Sequence, residues 1–79
     1  MSMFCPVKVT PIEIVKGKKE IIEHSPIVVD FGDYTGFDEL EINGETYLAI
    51  SFLDIREDSE YEIIIKESLE EMRPFLFGG

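Results

Sequence analysis

Two residues in this chain have side chains suited to nucleophilic or acid–base work, Cys5 and His24. An imidazole near neutral pH can move a proton, and a thiol beside such a base can attack carbon. Each is the sole residue of its type. They therefore cannot complete a tetrahedral zinc site without carboxylates or a second chain. Their surroundings point to quieter roles. Phe4-Cys5-Pro6 reads as a structural thiol, a small buried hydrophobe. His24, just ahead of Ser25-Pro26, reads as a surface histidine at a strand end. A third candidate is the acid-rich stretch holding Asp30, Asp33, Asp38 and Glu39. Carboxylates of this kind suit a hard cation such as calcium. Their spacing departs from a calcium loop, which wants acids at alternate positions before a glycine. Asp33 and Asp38 read instead as turn formers that bond nearby amides. Gly32, Gly36 and Gly44 compose no phosphate-binding fingerprint. The expectation is a non-enzyme with no catalytic residue, no bound metal and no cofactor.

Charge is the stronger signal. The chain has 79 residues and a net charge of −10. Residues 1–29 hold four lysines against three glutamates, and residues 30–79 hold fourteen acids against Arg56, Lys66 and Arg73. Phosphate contacts need a basic surface, so direct nucleic-acid binding through the second half is disfavoured. A field of one sign steers partners of the opposite sign. The densest acids, Asp54, Glu57, Asp58, Glu60 and Glu62, are therefore the candidate contacts to a basic protein surface. An acidic solvated face that only confers solubility is the plainer reading of the same residues.

The chain ends Arg73-Pro74-Phe75-Leu76-Phe77-Gly78-Gly79. Contiguous apolar residues mark either a segment that folds back on the core or a docking surface. Phe75 and Phe77 are the candidates for packing or for a joint between subunits, including a homo-oligomer. The terminal Gly78-Gly79 resembles the processed end of ubiquitin-like modifiers and the related sulfur carriers. That resemblance covers two residues. It implies that the carboxylate of Gly79 is adenylated, and it implies a β-grasp fold with a helix after the first hairpin. The stretch in that place here, IVVDFGDYTGFDEL, carries two glycines and reads as extended.

The elements that must position these residues are short. Val7 and Val9 alternate with Lys8 and Thr10 at strand period. Beyond Pro11 the apolar phase shifts to Ile12 and Ile14, as at a bulge or bend on an edge strand. Residues 15–19 read as a turn, Glu20–Glu23 as a return strand, and Ser25-Pro26 as its break. Ile27–Phe31 is β-branched and reads as a third segment. Residues 32–39 read as a loop. Asn43-Gly44 between two alternating runs predicts a hairpin. A three-residue bulged loop would bring Leu40 and Ile42 into phase with Leu48, Ile50 and Phe52, and is preferred over a strict two-residue turn. From Glu60 a helix capped by Ser59 competes with a strand. The alternation of Tyr61, Ile63 and Ile65 favours the strand. Glu67–Met72 reads as a helix ended by Pro74.

The expected fold is thus α+β, mainly β. It is a single domain over residues 1–79, with five to six short, mostly antiparallel strands. They form a curled sheet or small open barrel with one short C-terminal helix. The apolar content of 44% argues against disorder. One cysteine forms no intrachain disulfide and suits a reducing compartment. No apolar run reaches the roughly 20 residues of a membrane span, and the N-terminus lacks a signal-peptide stretch. These features predict a cytoplasmic protein without a membrane partner. The function expected is a small acidic protein-binding module, a regulator or inhibitor. It resembles in size and charge the small acidic proteins of phage and mobile elements. The alternatives are a carrier or modifier acting through Gly78-Gly79 and a small subunit of a larger assembly.

Overall fold

The structure, a computed structural model, describes residues 4–17 and 20–77. Among them the order is β1 (Pro6–Val9), β2 (Ile12–Val15), β3 (Glu20–Glu23), β4 (Ile27–Asp30), a 3₁₀ turn (Phe31–Asp33), β5 (Tyr34–Ile42), β6 (Glu45–Asp54), β7 (Ser59–Ile65) and α1 (Leu69–Leu76). Every pairing is antiparallel: β1 with β4, β2 with β3, and β5-β6-β7 as a three-stranded sheet. The architecture is α+β, mainly β, in small sheets that do not close into a barrel.

Pro11 explains the first split. A proline cannot donate to a ladder, so β1 and β2 part there and turn to different partners. Val7, Val9 and Ile12 are all buried, which gives the phase shift its cause. Pro11 itself bridges Ile65, and the Lys66 amide donates to the Thr10 carbonyl at 2.9 Å. Glu67 reinforces this joint. Its two oxygens accept from the Thr10 amide and hydroxyl, each at 2.8 Å.

Three sequence expectations need correction. Most of residues 32–39 form strand rather than loop. Only Gly32 and Asp33 stay in the 3₁₀ turn, and β5 runs for nine residues. The strand count reaches seven because β1 and β2 are separate strands with different partners rather than one bent strand. The bulge falls elsewhere than expected. Ile42 pairs directly with Glu45 across a strict two-residue turn, and the register shift lies between Tyr34 and Gly36. Asn43 and Gly44 take φ of 53° and 83°, the left-handed pair that a tight hairpin demands. The helix also continues through Pro74 to Leu76. Pro74 removes only the amide that would meet the Glu70 carbonyl, and Glu70 is exposed, so water can take its place. Ser68 caps the start. Its Oγ accepts from the Glu71 amide at 3.2 Å, the N-cap bond, and its hydroxyl lies 3.3 Å from Glu71 Oε1.

The core lies between one face of the three-stranded sheet, the β1–β4 pair and α1. Leu48, Ile50 and Phe52 of β6 share it with Ile65, Val7, Val9, Val29, Phe31, Met72 and Leu76. Ala49 is out of phase with those β6 residues, yet it is buried too. The sheet therefore has a second covered region. Ile12 and Ile21 of the β2–β3 hairpin line one groove with Thr46 and Tyr47 of β6, which places the hairpin against that opposite face.

Gly44→Val tests the turn. A β-branched residue resists positive φ, so a loss of about 1 kcal/mol or more is expected, read as a lower Tm. An unchanged melt would mean that the left-handed turn does not hold.

Candidate acidic and aromatic surfaces

The residues with catalytic potential do not assemble. His24 Nε2 sits 3.1 Å from Glu13 Oε1, and the His24 amide donates to the Pro11 carbonyl. Cys5 lies at the opposite end of β1, a strand's length away. It is exposed, which corrects the expectation of a buried thiol. Its backbone is tied down by Asp30, whose Oδ1 accepts from the amides of Cys5 and Gly32, each at 2.8 Å. Asp30 thereby caps the 3₁₀ turn. Asp38 is no turn former. It lies in mid-strand opposite Ala49, and Glu39 faces the other side, opposite Leu48. Successive strand side chains point to opposite faces, so Asp30, Asp33, Asp38 and Glu39 do not converge. Among the described residues no group of three or more His, Cys, Asp or Glu could hold a metal ion.

The acids at the β6–β7 end do form a continuous surface. Asp54 closes β6, and its Oδ1 accepts from the Arg56 amide at 3.1 Å. Glu57 and Asp58 occupy the connection, where Asp58 has φ of 52°. A short polar side chain tolerates that conformation well. Glu60 and Glu62 pair with Leu53 and Ser51, which places both acids on the face away from α1. Ion pairs among the described residues are His24–Glu13, Lys66–Glu23 and Arg73–Glu70. None of the five acids takes part. Leu53 and Ile55 stand exposed beside them, Ile55 at 71%, while Tyr61 turns to the other face and stacks on Phe52. Asp33, Leu53, Asp54, Ile55, Arg56 and Tyr61 line a shared groove of ≈ 460 Å³. The apolar half of this surface was missed in the sequence, where residues 54–59 read only as a charged connection.

The tail divides residue by residue. Leu76 is buried with Met72. Phe75 lies 5.9 Å from Phe31 between ring centroids and keeps 37% of its surface exposed. Phe77 meets Phe37 edge-on at 5.7 Å, has Arg73 5.9 Å from its ring centroid, and stays 59% exposed. Phe37 pairs with Ile50, so these aromatics lie on the core side of the sheet, opposite Glu60 and Glu62. Acids and tail are therefore two surfaces rather than one. Gly78 and Gly79 lie outside the described residues. A helix after the first hairpin, as the β-grasp resemblance implies, is absent among the described residues, where that stretch is strand and 3₁₀ turn.

Burial holds the pKa of the Tyr34 hydroxyl above the ordinary 10.0, and two further groups respond to alkali through hydrogen bonds. The Tyr47 hydroxyl donates to Glu45 Oε2 at 2.9 Å, and chiefly through this bond its pKa stands above the ordinary 10.0. Lys66 Nζ sits 3.0 Å from Glu23 Oε1, and chiefly through that bond its pKa stands above the ordinary 10.5. In both, the fold favours the protonated form. That stabilisation is complete below the unfolded values and is lost as pH rises through the folded ones. Thermal melts are thus expected to hold across neutral pH and fall above pH about 10. A Tyr47→Phe, Lys66→Met variant should fall less steeply. An equal slope in the variant would contradict the assignment.

No family model, curated protein or solved structure matches this chain. Among the described residues no helix is long and apolar enough to cross a membrane.

Proposed function

We propose that this chain is a small, acidic, non-enzymatic protein-binding module, a regulator or inhibitor whose β6–β7 end engages a basic protein surface. One observation carries the reading. Asp54, Glu57, Asp58, Glu60 and Glu62 have no ion-pair partner among the described residues, and they lie beside exposed Leu53 and Ile55. Acids alone would confer solubility. Acids around exposed apolar side chains give an interface both its steering field and its water-excluding centre. A reducing, cytoplasmic setting suits the single cysteine.

The test is a variant with Glu57, Glu60 and Glu62 changed to Lys and Asp58 to Asn, which keeps a residue tolerant of positive φ at that turn. Exposed charges contribute little to stability, so its melt should match the parent's. Its affinity for the partner should drop at least about tenfold, and parental binding should weaken as salt rises. Equal binding by the folded variant would refute the acidic face. Two other measurements separate the remaining readings. A joint between subunits predicts that Phe77→Ala lowers the sedimenting mass. A carrier predicts an adenylate or thiocarboxylate at Gly79, visible by mass after incubation with ATP and host extract.

A further inference from the structure

β5 is the outer strand of its sheet, and among the described residues no strand pairs with its far side. The hairpin turn fixes which of its backbone groups face outward. A two-residue hairpin closes on a pair that exchanges both hydrogen bonds, here Ile42 and Glu45. Alternation then turns the backbone of Leu40 and Asp38 toward β6. It directs the N–H and C=O of Phe37, Glu39 and Glu41 away from the sheet. The same alternation, carried through β6 and β7, turns the backbone of Lys66 outward. The Lys66 amide does donate outward, to the Thr10 carbonyl. That contact and the Pro11–Ile65 bridge occupy part of the β7 edge, whereas β5 has no such cover.

We propose that the β5 edge accepts an extended segment of a partner protein in which Lys or Arg alternates with apolar residues, added as a fourth strand. Charge selects the partner. Asp38, Glu39 and Glu41 are exposed and form no ion pair among the described residues. Acids by themselves would only guard an edge against aggregation. Phe77, exposed beside Phe37, adds an apolar contact that a guarded edge does not need. A second copy is the wrong occupant. Antiparallel pairing of β5 with itself about Glu39 sets that acid against its own copy, with Asp38 and Glu41 close by, and like charges directly opposed are destabilising. This edge lies across the sheet from Glu60 and Glu62, so it stands apart from the β6–β7 reading.

The probe is a nine-residue peptide alternating Lys and Val, with a Glu-for-Lys version as control, titrated into the isotope-labelled full chain. Saturable amide shifts and slowed hydrogen exchange at Phe37, Glu39 and Glu41 are expected with the first peptide and none with the second. Glu39→Pro removes one outward N–H without breaking the β6 ladder, and binding should weaken about tenfold or more. Glu39→Lys with Glu41→Lys keeps every N–H and should weaken binding comparably through charge alone, which decides the matter if the proline variant fails to fold. Shifts confined to residues 54–62, with folded variants binding as the parent does, would overturn the proposal. So would the absence of saturable binding, or protection of β5 amides in a dimer of the free chain.

Discussion

Deleting residues 75–79 is expected to lower stability more than any surface change, and to leave little folded chain at 37 °C. The reason is Leu76. It is 6% exposed and shares the core with Met72, Leu48, Ile50 and Phe52. Removing a buried leucine side chain costs about 2–5 kcal/mol. A chain of this length has about 4–12 kcal/mol in total, at roughly 0.05–0.15 kcal/mol per residue. The truncation also removes Phe75 from Phe31 and ends the helix before Leu76. Leu76→Ala alone should account for most of the loss, while Phe77→Ala, at a mostly exposed position, should cost much less. Urea unfolding followed by circular dichroism measures both. A truncated chain with the parental midpoint would mean that α1 does not dock as described.

Phe52→Ala is the second large effect. Phe52 is 1% exposed. Its ring meets Phe31 in a T-shaped contact at 5.3 Å and stacks on Tyr61 at 5.6 Å. Phe31 in turn touches Tyr34 at 5.6 Å and Phe75 at 5.9 Å. One ring therefore anchors a cluster that joins the sheet, the 3₁₀ turn and the helix. Phenylalanine-to-alanine changes at such sites cost about 3–5 kcal/mol, enough here to bring the chain close to its unfolding threshold. Phe52→Leu, which refills most of the volume, should recover a large part of that loss. If Phe52→Ala melted within a few degrees of the parent, the aromatic cluster would not be the centre of the fold.

The strands with clean alternation were legible in the sequence: Val7 and Val9, the return at Glu20, and the Tyr61–Ile63–Ile65 face. Pro11 and Ser25-Pro26 marked true breaks because a proline cannot continue a ladder. The stretch 32–39 was not legible. Its glycines and acids imitate a loop, and the bulge at Thr35 breaks the alternation that would have revealed a strand. The register at Asn43-Gly44 was misread for a related reason. Matching Leu40 to Leu48 assumes a single buried face, whereas this sheet has buried residues on both. The helix was legible but placed at Glu67–Met72, because Pro74 reads as a stop although its missing amide falls on an exposed turn. The acids of the β6–β7 end were visible as charge. Alternation already set Glu60 and Glu62 on one face, and only the pairing with Leu53 and Ser51 showed that this face lies away from α1, beside exposed Leu53.

The central claim is that residues 54–62 are the face a basic partner meets. The direct measurement is amide chemical-shift mapping of the full chain, titrated with the basic protein that the wild-type chain captures from its host. Shifts concentrated at Asp54, Ile55, Glu57, Glu60 and Glu62, diminished by salt and absent in the Lys-substituted variant, are the predicted result. A saturating complex that leaves 54–62 unshifted would contradict it.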